Sequence, residues 1–471
     1  MSEEKKKLDG STLVEALHAL PEEGGLPFCM PGHKRNTSFA YLQDGARYDI
    51  TEIAGFDNLH NAEGILAKEM AYAAEVYGVR ACRFLVNGST VGILASILAL
   101  GKRGGAVLIT RHCHRSVYNG IALAGMHPVY LPDVRIEDSD VPASVEPEAV
   151  AEMLHLHPEV ALVVLCSPTY EGVLSDVGSI ATICHEKGVP LLVDGAHGAH
   201  FGFGGFPESA RKQGADMVVE SLHKTCASLT QTAILHICSD RVDCGRVDHW
   251  LQVLETSSPS YLLLGSICGC VHELAKGDTV ARWRKEVLAL RKALGLGKLR
   301  LLIESKDVWG LDPSKLVLLT NHAGTTGIQL CNGLRKMGIE PEMGAEGHAI
   351  LMSGMGDNNE SFTILLDVLQ KIDEGLHEKT MPLSPVPTRC AVVYGIHEAQ
   401  EMQGQDLPLE KAVGKVLGEY IWAYPPGAPL LVPGERLTED MAQYIRKQKD
   451  LGVSIECSRK HGFDGFVRVV D

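Results

Sequence analysis

Ser221-Leu-His-Lys-Thr-Cys-Ala-Ser-Leu-Thr-Gln-Thr232 lies between two apolar runs, Asp216-Met-Val-Val-Glu220 and Ala233-Ile-Leu-His-Ile237. The flanking runs read as buried strands, and Lys224 stands just past the end of the first. Lysine is rarely buried without a partner or a task. A desolvated lysine can act as an amine and form a Schiff base with an aldehyde. Around this stretch, helix-period segments at 67–77, 90–100 and 175–187 alternate with short apolar runs. Those runs fall at 106–110, 128–131, 161–166, 190–194, 216–220 and 232–237. Short β-branched runs alternating with helices predict an α/β fold with a mostly parallel sheet flanked by helices.

Composition bounds the rest. The chain has 471 residues, 45% hydrophobic and 22% charged, as in a globular protein able to bury a large core. A net charge of −15 speaks against nucleic acid or an anionic membrane surface as the main partner. The N-terminal Met-Ser-Glu-Glu-Lys-Lys-Lys carries no apolar signal region, and no run has the length of a transmembrane helix. The 13 cysteines are scattered, none as Cys-x-x-Cys, and read as reduced thiols of a cytoplasmic protein. The pattern divides into an N-terminal segment (1–62), a large domain (63–300) and a smaller C-terminal α+β part (301–471). A proline-rich linker lies near 381–388. In the last part, helices are expected near 408–421 and 438–449 and a strand at 464–470; residues 271–303 read as helical.

Several segments at predicted strand ends carry chemistry, where ligands of open α/β sheets bind. In Phe84-Leu-Val-Asn-Gly-Ser-Thr90, Gly88 permits a tight turn, and Ser89 and Thr90 open a helix. That makes an anion seat, although an ordinary Ser/Thr cap would look the same. In Pro190-Leu-Leu-Val-Asp-Gly-Ala-His-Gly-Ala-His200, Asp194 ends a strand. An ion pair there is worth roughly 4 kcal/mol at about 4 Å and an effective dielectric near 20, enough to keep a pyridine protonated. An Asp-Gly turn cap is the plainer use. In Thr110-Arg-His-Cys-His-Arg-Ser116, the flat ring of His114 suits stacking on a flat cofactor, and a surface histidine loop is the alternative. Ser221 and His223 add phosphate ligands beside Lys224. The combination of phosphate turn, stacking ring, strand-end aspartate and lysine points to pyridoxal 5′-phosphate (PLP). No cluster suggests a metal.

The motifs Pro31-Gly-His-Lys34, Asn87-Gly-Ser-Thr90, Ser167-Pro-Thr-Tyr-Glu-Gly172, Asp194-Gly-Ala-His-Gly-Ala-His200, Ser221-Leu-His-Lys224, Leu229-Thr-Gln-Thr232 and Tyr424-Pro-Pro-Gly-Ala-Pro-Leu-Leu-Val-Pro-Gly-Glu435 span nearly the whole chain. In them the chain resembles the bacterial Orn/Lys/Arg decarboxylases, PLP enzymes of fold type I (aspartate-aminotransferase-like). The resemblance implies that Lys224 bonds covalently to PLP and Asp194 pairs with its ring nitrogen. It implies that His114 stacks on one ring face and Ala196 packs on the other. Gly88, Ser89, Thr90, Ser221 and His223 would hold the phosphate. His197 would lie near the phenolic oxygen or the substrate carboxylate, and Thr169 and Tyr170 near the cofactor edge. Glu435 would help shape the substrate pocket with a partner subunit. The family often has an acidic residue where Gly195 stands. The chain looks like the family's short form, without an N-terminal receiver-like domain, and a homodimer with sites at the interface is implied.

The expected reaction is decarboxylation of arginine, lysine or ornithine to the corresponding amine and CO₂. Lys224, Asp194, His197 and His114 are the catalytic candidates, with His197, Lys224 and Cys226 as possible proton donors to Cα. The distal cation of a basic substrate needs an acidic contact, for which Glu52, Asp57 and Glu435 are the candidates. Rival readings are an aminotransferase or aldolase on the same fold, a silent regulatory homologue, and a metal hydrolase using His112, His114, His197 and His200.

Overall fold

The structure, a computed structural model, describes residues 12–23, 30–31, 34–35, 43–424, 427–459 and 462–470. Gly32 and His33 of the first motif, and Pro425 and Pro426 of the last, lie outside the described residues. Seven strands form the main sheet: β1 (Ala81–Leu85), β2 (Ala106–Ile109), β3 (His127–Tyr130), β4 (Val160–Cys166), β5 (Leu191–Asp194), β6 (Met217–Ser221) and β7 (Ala233–Ile237). Their order is β1-β7-β6-β5-β4-β2-β3. β2 runs parallel to β3 and β4, and β5 parallel to β6, while β7 is antiparallel to both β6 and β1. Every residue of β2, β5, β6 and β7 is buried. Burial on both faces is why these strands read as continuous apolar runs rather than alternating ones.

The expected sheet and its helices are therefore present, with boundaries shifted by one or two residues. The chain packs into two compact units that are each discontinuous in sequence. The first comprises the residues up to Ala99, Leu192–Arg282 and Gly354–Gly356. It holds β1, β7, β6, most of β5 and the helices Ile65–Tyr77, Gly88–Leu100, Cys244–Leu254 and Tyr261–Lys276. The second comprises Leu100–Leu191, Trp283–Ser353 and the residues from Asp357 on.

Within the second unit, Lys315–Leu319 pairs antiparallel with His348–Met352 and Arg300–Leu301, and the helix Gly327–Lys336 starts at a Thr326/Gln329 capping box. A last layer packs the helix Glu439–Asp450 with the strands Ile421–Tyr424, Pro429–Leu431 and Ser454–Cys457 around Leu417, Leu431, Ile445 and Val467.

Two sequence expectations are corrected here. The helix expected near 408–421 is a short 3-10 turn, Leu409–Lys411, followed by extended chain leading into the strand Ile421–Tyr424. Its apolar spacing reflects a loop that buries Leu409, Ala412, Val416 and Leu417, and Gly414 adopts φ +83°, which a helix cannot use. The helical reading of 271–303 resolves into two helices, Tyr261–Lys276 and Asp278–Ala293, separated by Gly277 at φ +79° and followed by the strand Arg300–Leu301.

Candidate active site

Strand register brings the first unit's chemistry together. Ala233 of β7 lies opposite Leu85 of β1 and opposite Ser221 of β6, and Asp194 of β5 lies opposite Val219 of β6. The turn at Gly88, the end of β5 and the Ser221–Lys224 segment thus share one end of the sheet.

Gly88 adopts φ +75°, and its N–H donates to the Gln231 carbonyl at 2.9 Å. The helix Gly88–Leu100 follows, with Ser89 and Thr90 in its first turn, where the backbone N–H groups have no intrahelical acceptor. Lys224 sits in the single turn Leu222–Thr225, half-buried, with Nζ 3.1 Å from Nε2 of the buried His197. Asp194 is 5% exposed and accepts the Ala196 N–H at 3.2 Å. Burial pushes the Asp194 carboxyl up, while the Lys224 charge and the Ala196 N–H pull it down. Ala196 is itself buried, and its carbonyl accepts the Ser221 N–H at 3.3 Å.

Two observations test this cluster against PLP. The Ser221 hydroxyl is buried and has no hydrogen-bond partner among the described residues. Burial holds the Asp194 carboxyl above its ordinary value even against the Lys224 charge. A phosphate would satisfy the first and a protonated ring nitrogen the second, so the residues fit the cofactor. His223 places Nδ1 2.9 Å from the Thr232 carbonyl, and burial pushes its imidazole below the usual value. A neutral His223 ring must donate from Nδ1 to that carbonyl, so only its cation has a second N–H for a phosphate.

The remaining candidates belong to the second unit. His114 caps the helix Arg115–Leu123, its Nδ1 accepting the Ser116 N–H at 3.2 Å, which leaves Nε2 the protonated nitrogen of the neutral ring. A Cβ on Gly427 would stand 3.8 Å from the His114 ring. Thr169 is buried, and its hydroxyl accepts the Val173 N–H at 3.2 Å. Tyr170 hydrogen-bonds Glu342.

The candidate substrate acids differ sharply. Asp57 adopts φ +72°, and its carboxylate accepts the N–H groups of Asn58, Glu63, Gly64 and Leu66 at 2.7–3.1 Å, ahead of the helix Ile65–Tyr77. Burial pushes the Asp57 carboxyl up, but these backbone donors outweigh it and hold it below the usual range. Glu435 is fully buried and forms a two-pronged pair with Arg111, at 2.5 and 2.9 Å, while accepting the Val432 N–H at 3.0 Å. Only Glu52 keeps a buried oxygen, Oε1, without a partner among the described residues.

The four histidines weighed as metal ligands divide between the units: His112 and His114 in one, His197 and His200 in the other. His200 bonds Thr225 Oγ1 at 3.1 Å, and no group of three or more metal-binding side chains occurs among the described residues. Arg111 went unnoticed in the sequence because it flanks the more conspicuous histidines of its segment. Its partner lies 324 residues away.

Fold and cluster together define a PLP-dependent enzyme of fold type I. The family model for the major domain of the Orn/Lys/Arg decarboxylases matches residues 11–293, and that for the C-terminal domain of the same family matches residues 392–455. The chain belongs to the Orn/Lys/Arg decarboxylase family and is an amino-acid decarboxylase with PLP as its cofactor. It is 32% identical to the uncharacterized protein YaaO of Bacillus subtilis, over 95% of this chain and 96% of that one. It is 29% identical to an arginine decarboxylase of Halalkalibacterium halodurans, over 94% of each. The lysine decarboxylase LdcF of Francisella novicida shares the fold, with a TM-score of 0.83 and 17% identity over 98% of this chain and 81% of that one.

Proposed function

We propose that this decarboxylase acts on arginine, releasing CO₂ and agmatine, as a cytoplasmic homodimer in polyamine formation. The observation that carries the choice of substrate is the near full-length match to relatives named arginine decarboxylase, at 94% of both chains for one and 91% for another. Lys224 would hold PLP, Asp194 would face its ring nitrogen and favour the protonated form, and Ser221, Ser89 and Thr90 would hold its phosphate. Bound there, PLP supplies a sink for the electron pair left when the Cα–carboxylate bond breaks. His197 moves a proton to or from Lys224 Nζ across the 3.1 Å contact. Glu52 receives the distal cation of the substrate, supported by its buried oxygen without a partner. The cytoplasmic assignment is supported by free thiols at every described cysteine, as in a reducing compartment. No helix among the described residues is long and apolar enough to cross a membrane.

Arginine, lysine and ornithine, each offered alone to the PLP-loaded protein with amine and CO₂ measured, test this reading. Agmatine as the dominant product is expected. Cadaverine or putrescine in excess would overturn the substrate, and a keto acid without CO₂ would overturn the reaction.

A further inference from the structure

Glu255 follows the helix Cys244–Leu254 and is 6% exposed. Its Oε1 accepts the Val86 N–H at 2.7 Å, across 169 residues of sequence. The neighbouring Thr256 N–H reaches Asn87 Oδ1 at 3.4 Å. From the other side, Gln231 Nε2 donates to the Val86 carbonyl at 2.5 Å, and the Gln231 carbonyl receives the Gly88 N–H at 2.9 Å. Both polar groups of Val86 are thereby fixed just before the chain turns at Gly88. Gln231 holds φ +83°, an unfavourable conformation for a residue with a side chain, in order to do so. Glu255 also lines a cavity of about 550 Å³ with Arg83, Asp248 and Gln252.

We propose that Glu255 is a positioning residue for the cofactor phosphate: it fixes the Val86–Asn87 peptide and, through it, the Gly88–Thr90 turn that receives the phosphate. This rests on the reading of that turn as the phosphate seat. An acid behind an anion seat looks misplaced until its charge is considered. Burial pushes the Glu255 carboxyl up to about 7, against the pull of the Val86 and Asn87 N–H groups, so it need not oppose the phosphate with a full negative charge. The adjoining cavity lets water reach the Val86 N–H if Glu255 is shortened. Such a variant loses the fixed position of the turn without burying an unsatisfied donor.

The test titrates the cofactor-free protein with PLP and with pyridoxal, which lacks the phosphate, following the absorbance of the lysine-bound cofactor. Wild type should bind PLP much more tightly than pyridoxal. Glu255→Ala should weaken PLP about tenfold, the effect of losing one fixed hydrogen bond near a charge, and leave pyridoxal nearly unchanged. Glu255→Gln, whose amide oxygen can accept the same N–H, should bind PLP almost as wild type does. If Glu255→Ala fails to fold, Glu255→Asp, too short to reach Val86, should show the same selective loss. Equal weakening of both ligands, or no weakening of PLP, overturns the assignment of Glu255. Equal affinity of wild type for both ligands instead overturns the phosphate seat itself.

Discussion

His197 Nε2 lies 3.1 Å from Lys224 Nζ, so the lysine proposed to hold the cofactor stands within proton-transfer reach of a buried imidazole. His197→Gln keeps a polar group of similar reach but cannot carry the proton. It should retain PLP, with kcat lowered by about 10²–10⁴-fold, the range for loss of a general acid–base group. Its pH–rate profile should lose one limb. A kcat close to wild type, with the profile unchanged, would rule out this role.

Asp194→Asn removes the charge proposed to face the ring nitrogen while keeping the side chain's shape. With roughly 4 kcal/mol of attraction at stake, kcat should fall by about 10³-fold. Cofactor content should persist, because Lys224 is intact. An Asn variant with wild-type kcat would remove Asp194 from the electron-sink argument.

The acids Glu52 and Glu435 should fail in different ways. Glu52→Gln should raise KM for arginine roughly tenfold to a hundredfold at similar kcat, the loss of a charged hydrogen bond to bound substrate. Glu435→Ala leaves the Arg111 guanidinium buried without its counter-charge and should cost about 3–5 kcal/mol in urea unfolding. An unchanged KM in the Glu52 variant, or unchanged stability in the Glu435 variant, would reject the respective role.

Glu255 makes the cofactor-free protein's stability depend on pH. Its folded carboxyl titrates at about 7, against 4.5 ordinarily, so the fold favours the protonated form. The associated stability is fully present below 4.5 and is lost as pH rises through about 7, a total of about 3 kcal/mol. Glu255→Gln should flatten that slope in unfolding measured from pH 4.5 to 8. An identical slope in variant and wild type would contradict the burial effect.

Much of the site was legible because its parts are punctuated. Asp194 and Ser221 end apolar runs, and Gly88 opens a helix, so local pattern alone locates them at strand ends. Partnership was not legible. Glu52, Asp57 and Glu435 look alike as acids, yet Asp57 serves backbone N–H groups and Glu435 serves Arg111. Glu255 carries no local signal, since its contact with Val86 spans 169 residues. The false helix near 408–421 arose because a buried loop can space its apolar residues as a helix does.

The Arg111–Glu435 pair joins a residue matched by the major-domain model to one matched by the C-terminal model, inside a single packed unit. Neither half can be shed without abandoning a buried charge in the other. The C-terminal segment is therefore not a detachable accessory. Losing Glu435 with that segment would strand the Arg111 guanidinium without its counter-charge, so the fold of one matched region is completed by the other.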